Sequence, residues 1–302
     1  MAGGAVCLAV GTGLMLHVRR VMLREVRQAR AVAGATRSVL LRPLPARIAG
    51  LTTAAVQLSA DRGATVGGDL YEVIATEHGV RVVMGDVRGH GLAAVGTVAA
   101  VLGCFREAVH DEADLAGVLA RLDRALARHL RARAEDTEDF VTVLLLEITP
   151  DGELHALNCG HPWPYLLGVD RATPLTRADP LPPLGLFPLP AELPATAYGR
   201  LLPGEALFLH TDGVEDARDS EGRFFPLGIA LAAAVRRRPI SPQSVLRAVF
   251  AQLLRHAGGR PKDDIAILVL RNERPLALRG AGNGATSHDV PAVDNPPVVP
   301  TR

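Results

Sequence analysis

The 302-residue sequence predicts an α+β fold in which two antiparallel sheets pack together with helices on the outside. Three observations point to it. β-like stretches follow one another directly, without the strict strand–helix alternation that builds a parallel sheet, and helical patterns arrive in pairs between groups of strands. The composition, 48% hydrophobic and 22% charged with 30 Gly and 22 Pro, is that of an ordinary globular chain and excludes a wholly disordered or collagen-like protein. A chain of this length buries a sizeable core as one large or two small domains, which excludes a peptide-sized scaffold.

Taken in order, residues 2–18 form an apolar run without formal charge that ends at Arg19 and Arg20. Its length is near the lower limit for a spanning helix, about 17 residues. A secretory signal would carry positive charge before the apolar stretch, not behind it. Residues 1–18 are therefore expected to be a transmembrane segment, with the chain after it in the cytoplasm under the positive-inside rule. From Arg19 onward, Val21, Met22, Val26, Ala29, Val32, Ala33, Val39 and Leu40 recur at near-helical spacing among arginines, and Pro43 and Pro45 stop the pattern. Residues 19–47 read as a basic amphipathic linker helix, suited to pairing in a homodimer and to lying near anionic headgroups.

The body is expected over residues 48–271. β-like stretches fall at 51–58, 70–76, 80–87, 140–148, 154–158 and 206–211, helical patterns fall at 92–109, 114–133, 227–236 and 242–256, and a last apolar run covers 265–270. From residue 272 to 302 the Pro, Gly, Ser and Asn content reads as a disordered tail.

The net charge of +1 is a cancellation. Residues 1–47 hold eight arginines against Glu25, so the remainder holds 25 basic and 31 acidic residues, a balance of −6. An acidic body repels a polyanion, so a nucleic-acid partner and a nuclease activity are both disfavoured. Cys7, Cys104 and Cys159 are odd in number, widely spaced and without a Cys-x-x-Cys pair, which argues against disulfides and zinc. A cysteine-nucleophile phosphatase needs an Arg six residues after its Cys, where this chain has Gly13, His110 and Tyr165.

Four aspartates stand at the edges of apolar runs: Asp69 in Gly67-Gly68-Asp69-Leu70-Tyr71, Asp86 in Gly85-Asp86-Val87-Arg88-Gly89-His90-Gly91, Asp212 in Thr211-Asp212-Gly213, and Asp263 in Asp263-Asp264-Ile265. Each alone reads as a turn or a strand-end cap. Gathered into one pocket they would repel each other and raise their pKa values unless cations bound between them. Hard oxygen ligands of this kind select Mg²⁺ or Mn²⁺.

These motifs in this order, with Asn158-Cys159-Gly160-His161-Pro162 and the Leu184-Gly185 turn, resemble the metal-dependent PPM-type serine/threonine protein phosphatases related to protein phosphatase 2C, in their bacterial SpoIIE-like branch. The resemblance covers most of residues 48–270. It implies a four-layer α-β-β-α sandwich with two Mn²⁺ or Mg²⁺ ions at one end. By motif position Asp69 and Asp86 would bind or bridge the metals, the carbonyl of Val87 would add a ligand, and Asp212 and Asp263 would complete the site. Asp264, Gly68, Gly89 and Gly213 would support it. The chemistry implied is a metal-bridging water that loses its proton and attacks phosphorus in line, with no protein nucleophile. The substrate implied is a phosphoserine or phosphothreonine on a regulatory protein, such as an anti-sigma-factor antagonist.

The chain departs from the eukaryotic branch in carrying Arg88 where that branch has His two residues after the second metal-site Asp. Arg88 becomes a candidate phosphate contact. His90 is a candidate leaving-group acid or a structural loop residue, and His161 is a candidate for the pocket border. Gly-Gly-Asp also occurs in diguanylate cyclases, but there Glu-Phe follows and here Leu70-Tyr71 does. A catalytically silent module that uses the same fold to hold a signalling partner is the remaining alternative, and the four intact aspartates argue against it.

Overall fold

The computed structural model describes residues 15, 19, 42–59, 67–89, 91–133, 139–175, 179–190, 192–193, 196–236, 240–259 and 261–275. The expected transmembrane segment and linker helix lie almost wholly outside the described residues, as do most of the tail and His90. The body contains eleven described strands: β1 (Arg47–Ile48), β2 (Leu51–Leu58), β3 (Asp69–Thr76), β4 (Gly79–Val87), β5 (Val141–Ile148), β6 (Glu153–Cys159), β7 (Tyr165–Gly168), β8 (Arg171–Pro174), β9 (Thr196–Arg200), β10 (Ala206–His210) and β11 (Ile265–Asn272). Its described helices are α1 (Leu92–Asp111), α2 (Leu115–Arg131), α3 (Asp212–Glu215), α4 (Leu227–Val235) and α5 (Pro242–His256).

The strands form a six-stranded sheet in the order β1-β2-β11-β10-β7-β8 and a five-stranded sheet in the order β3-β4-β5-β6-β9. Neighbours in both are antiparallel. The period of two along each strand distributes side chains between layers. On β4, Val80, Val82 and Met84 enter the core between the sheets, whereas Val83 and Val87 face α1 and α2. On β11, Ala266, Leu268 and Leu270 face the other sheet, and Ile265, Ile267 and Val269 face α4 and α5. Three apolar clusters therefore fill the three gaps of an α-β-β-α sandwich, which is why the central strands read as continuous hydrophobic runs. Full burial of each such Leu or Val is worth about 1.5–3 kcal/mol.

α1 is the one described helix long and apolar enough to cross a membrane. Its Val98, Val101, Leu102 and Phe105 are buried on the five-stranded sheet and on α2, so it serves as a core helix. Its far end is held by Arg81 of β4, which is fully buried, pairs with Glu147 at 2.6 Å and donates to the carbonyls of Val109, Glu112 and Ala113. Those carbonyls are the acceptors that a helix C-terminus leaves unmatched. The last strand runs to Asn272, whose buried amide donates to Leu201 O at 2.7 Å.

Candidate metal centre

The β3–β4 hairpin has a two-residue loop, Glu77-His78, between the paired residues Thr76 and Gly79. A loop that short fixes register. The pairing then propagates until Asp69, first in β3, lies directly opposite Asp86 near the end of β4. The six-stranded sheet brings its own carboxylates to the same end of the sandwich. Asp212 opens α3 just after β10, and Asp263 and Asp264 immediately precede β11.

Asp69 is 1% exposed. Its backbone oxygen accepts from Gln57 Nε2 at 2.9 Å and its Oδ2 accepts from the Thr211 hydroxyl at 3.0 Å. Asp264 accepts from the Gly68 amide at 3.0 Å through Oδ2 and from the Ser59 hydroxyl at 2.9 Å through Oδ1. The glycines are required by crowding. A Cβ on Gly68 would stand 2.3 Å from Val87 O and 2.7 Å from Asp86 Oδ1, and one on Gly213 would stand 1.9 Å from Asp264 O. Gly89 has open space but a φ of +102°, a conformation that disfavours any larger residue.

Burial first, and then the charge of Asp86, holds the Asp69 pKa well above the usual carboxylate range. Asp86 is pushed up to about 7 by burial and by Asp212, Asp263 and Asp264. Burial and Asp263 raise Asp212 as well. None of Asp69, Asp86, Asp212 and Asp263 has an ion-pair partner among the described residues. An uncompensated acidic cluster made of hard oxygens, with Val87 O beside it, fits a hydrated Mg²⁺ or Mn²⁺. Among the described residues no three His, Cys, Asp or Glu side chains are placed to hold a metal ion by themselves.

Arg88 is exposed beside the cluster, its guanidinium 5.2 Å from the centre of the Phe140 ring and its amide donating to Phe140 O at 2.9 Å. His161 does not border an open pocket, contrary to expectation. It is 4% exposed, and its Nδ1 and Nε2 lie 3.0 Å from Thr142 Oγ1 and 3.1 Å from His210 O. Burial and the neighbouring His210 lower its pKa to about 3, so the ring is neutral. A substrate contact by this side chain is excluded, because its ring is buried and both nitrogens are engaged. Thr142, Gln57 and Ser59 carry no sequence signal of their own, whereas Thr211 sat unrecognised inside the Thr-Asp-Gly motif. A cavity of about 770 Å³, lined by Arg171, Leu202, Glu205 and Arg271 among others, opens at the opposite end of the six-stranded sheet and is remote from this chemistry.

Residues 76–273 match the family described as Stage II sporulation protein E. The chain belongs to the SpoIIE family. A relative of this SpoIIE-family chain is the phosphoserine phosphatase RsbP of Bacillus subtilis, 28% identical over 213 residues that cover 68% of the chain and 49% of RsbP. The chain thus spans about half the length of that relative. Among solved structures, the RsbU and RsbW domains of a Mycobacterium tuberculosis protein superpose with a TM-score of 0.61 at 23% identity, over 75% of this chain and 62% of the other. The SiaA PP2C domain of Pseudomonas aeruginosa superposes with a TM-score of 0.61 at 20% identity, over 84% of this chain and 98% of the other. At these identities the likeness is one of fold, the two antiparallel sheets flanked by helices that PPM-type phosphatases share.

Proposed function

We propose that the chain is a divalent-metal-dependent phosphatase that hydrolyses phosphoserine or phosphothreonine on a regulatory protein, with an anti-sigma-factor antagonist as the substrate class. The observation that carries this reading is the facing pair Asp69–Asp86 of one sheet, set at the same end as Asp212 and Asp263 of the other and without cationic partners among the described residues. Asp69, Asp86, Asp212, Asp263 and the carbonyl of Val87 would hold two Mn²⁺ or Mg²⁺ ions. When bound, those ions supply Lewis acidity, activating water and offsetting charge on the phosphoryl oxygens.

The protein's own part is positional. Asp264 holds the Gly68 amide, Thr211 orients the Asp69 carboxylate, and the bare face of Gly68 leaves Asp86 and Val87 O their place. Arg88, exposed two residues after Asp86, would offer a planar donor fork to phosphate oxygens. Release of phosphate from a phosphoserine protein in the presence of Mn²⁺ tests the reading. Asp86→Asn and Asp212→Asn should each lose at least about 100-fold in rate, by analogy with loss of a charge-stabilising group. Full activity in chelator would contradict it, and substrate capture without phosphate release would identify a silent binding module.

Residues 1–18 are proposed as a membrane anchor, residues 19–47 as a linker helix able to pair in a homodimer, residues 48–271 as the cytoplasmic catalytic domain and residues 272–302 as a tail. Support comes from the apolar run and the arginines behind it. The full chain should sediment with membranes, and a fully soluble chain would count against the anchor.

A further inference from the structure

A cation shared between Asp86 and Asp212 tolerates little change in the distance between the sheets that carry them, because Mg²⁺ and Mn²⁺ hold oxygen ligands near fixed lengths. On the Asp69 side the sheets are tied at this end by Gln57 to Asp69 O, by Thr211 to Asp69 Oδ2, and by Asp264 to the Gly68 amide. On the Asp86 side the crossing runs through two groups outside the acidic cluster, the half-buried Thr142 and the buried His161. The amide of Asp86 donates to Thr142 Oγ1 at 3.3 Å, Thr142 Oγ1 lies 3.0 Å from His161 Nδ1, and His161 Nε2 lies 3.1 Å from His210 O. Thr142 and His161 belong to the five-stranded side, and His210 ends β10 of the other sheet, two residues before Asp212.

The direction of this chain follows from its ends. A carbonyl oxygen only accepts, so His161 Nε2 carries the proton and Nδ1 is the acceptor. The Thr142 hydroxyl has two acceptors in reach, His161 Nδ1 at 3.0 Å and Asp86 O at 3.5 Å; the shorter contact donates to Nδ1, and the hydroxyl oxygen accepts from the Asp86 amide. Either donation ties Thr142 to Asp86, and only the first also leaves the buried Nδ1 matched. The His161 backbone is itself locked, since its amide donates to Asn158 Oδ1 and its carbonyl accepts from Asn158 Nδ2, both at 2.8 Å.

We infer that Thr142 and His161 are positioning residues of the metal centre, fixing the Asp86 backbone against the opposite sheet and so setting the spacing of carboxylates that a divalent cation would share. The inference rests on the two-metal reading above, and its test separates the two. Mn²⁺ uptake by the full, chelator-stripped chain is followed by the electron paramagnetic resonance signal of free Mn²⁺, with near-ultraviolet circular dichroism to check folding. Thr142→Val and His161→Phe should each weaken binding about 10-fold, the usual scale for groups that orient ligands. The double variant should lose little more than either single one, because both act through one relay. Thr142→Ser, which keeps the hydroxyl, should recover most of the loss. Wild-type affinity in folded Thr142→Val, no recovery by Thr142→Ser, or independent losses that multiply would overturn the inference. If His161→Phe does not fold, the Val and Ser comparison at position 142 decides alone. If wild type and Asp86→Asn take up Mn²⁺ alike, the metal reading itself has failed and the positioning role falls with it.

Discussion

Gly68 shows how one missing side chain shapes the site. Its Cβ position is already occupied by Val87 O and Asp86 Oδ1, at distances that no real Cβ contact shows, and the backbones of both neighbours are held, Asp86 in the β3–β4 ladder and Val87 in the β4–β5 ladder. Gly68→Ala must therefore push the hairpin ends apart, at a cost of about 1–3 kcal/mol for overpacking. It should also remove most phosphatase activity. Gly228→Ala, on the exposed face of α4 with open space around it, should fold at least as stably and keep its rate. Unfolding curves and phosphate release on the two variants check this, and an active Gly68→Ala would show that the crowding is tolerated. His161 makes the complementary point. Its place between Gly160 and Pro162 suggested the border of the pocket, yet the side chain turns inward to join the sheets.

At the level of elements, the buried Arg81 joins β4, which ends in the acidic motif, to the far end of α1, which begins just after it. Arg81→Met would leave Glu147 and three carbonyls without their donor, so a loss of about 3–5 kcal/mol is expected in denaturant unfolding. A variant as stable as the wild type would show that the carbonyls find other donors. Long elements were legible in the sequence because their patterns are strong. The strand over 51–58 and the helix over 242–256 agree with β2 and α5 to the residue, and the helix ends at 109 and 133 moved by about two residues. What escaped were β1, β7, β8, β9 and α3, all five residues or shorter, where no periodicity can develop. The acidic cluster was legible because its members sit in Gly-rich motifs. The relay behind it was not, since Thr142 lies inside a strand and its partners are set only by tertiary packing.

At the scale of the whole molecule, two sheets deliver acidic groups to one end of the sandwich, and the fold carries that repulsion at its own expense. A carboxyl whose folded pKa is raised binds more protons folded than unfolded between the two values. Stability of the metal-free protein from Asp86 is therefore lost as pH rises from the ordinary carboxylate range through about 7. Cation binding acts in the opposite sense, since it requires the deprotonated carboxylate and should tighten across the same window. The most direct test of the central claim is Mn²⁺ binding to the full chain as a function of pH, beside Asp86→Asn. Saturable binding that strengthens from about pH 6 to pH 8 and is lost in Asp86→Asn is the expected result. Binding that is absent, indifferent to pH, or equal in the variant would contradict it.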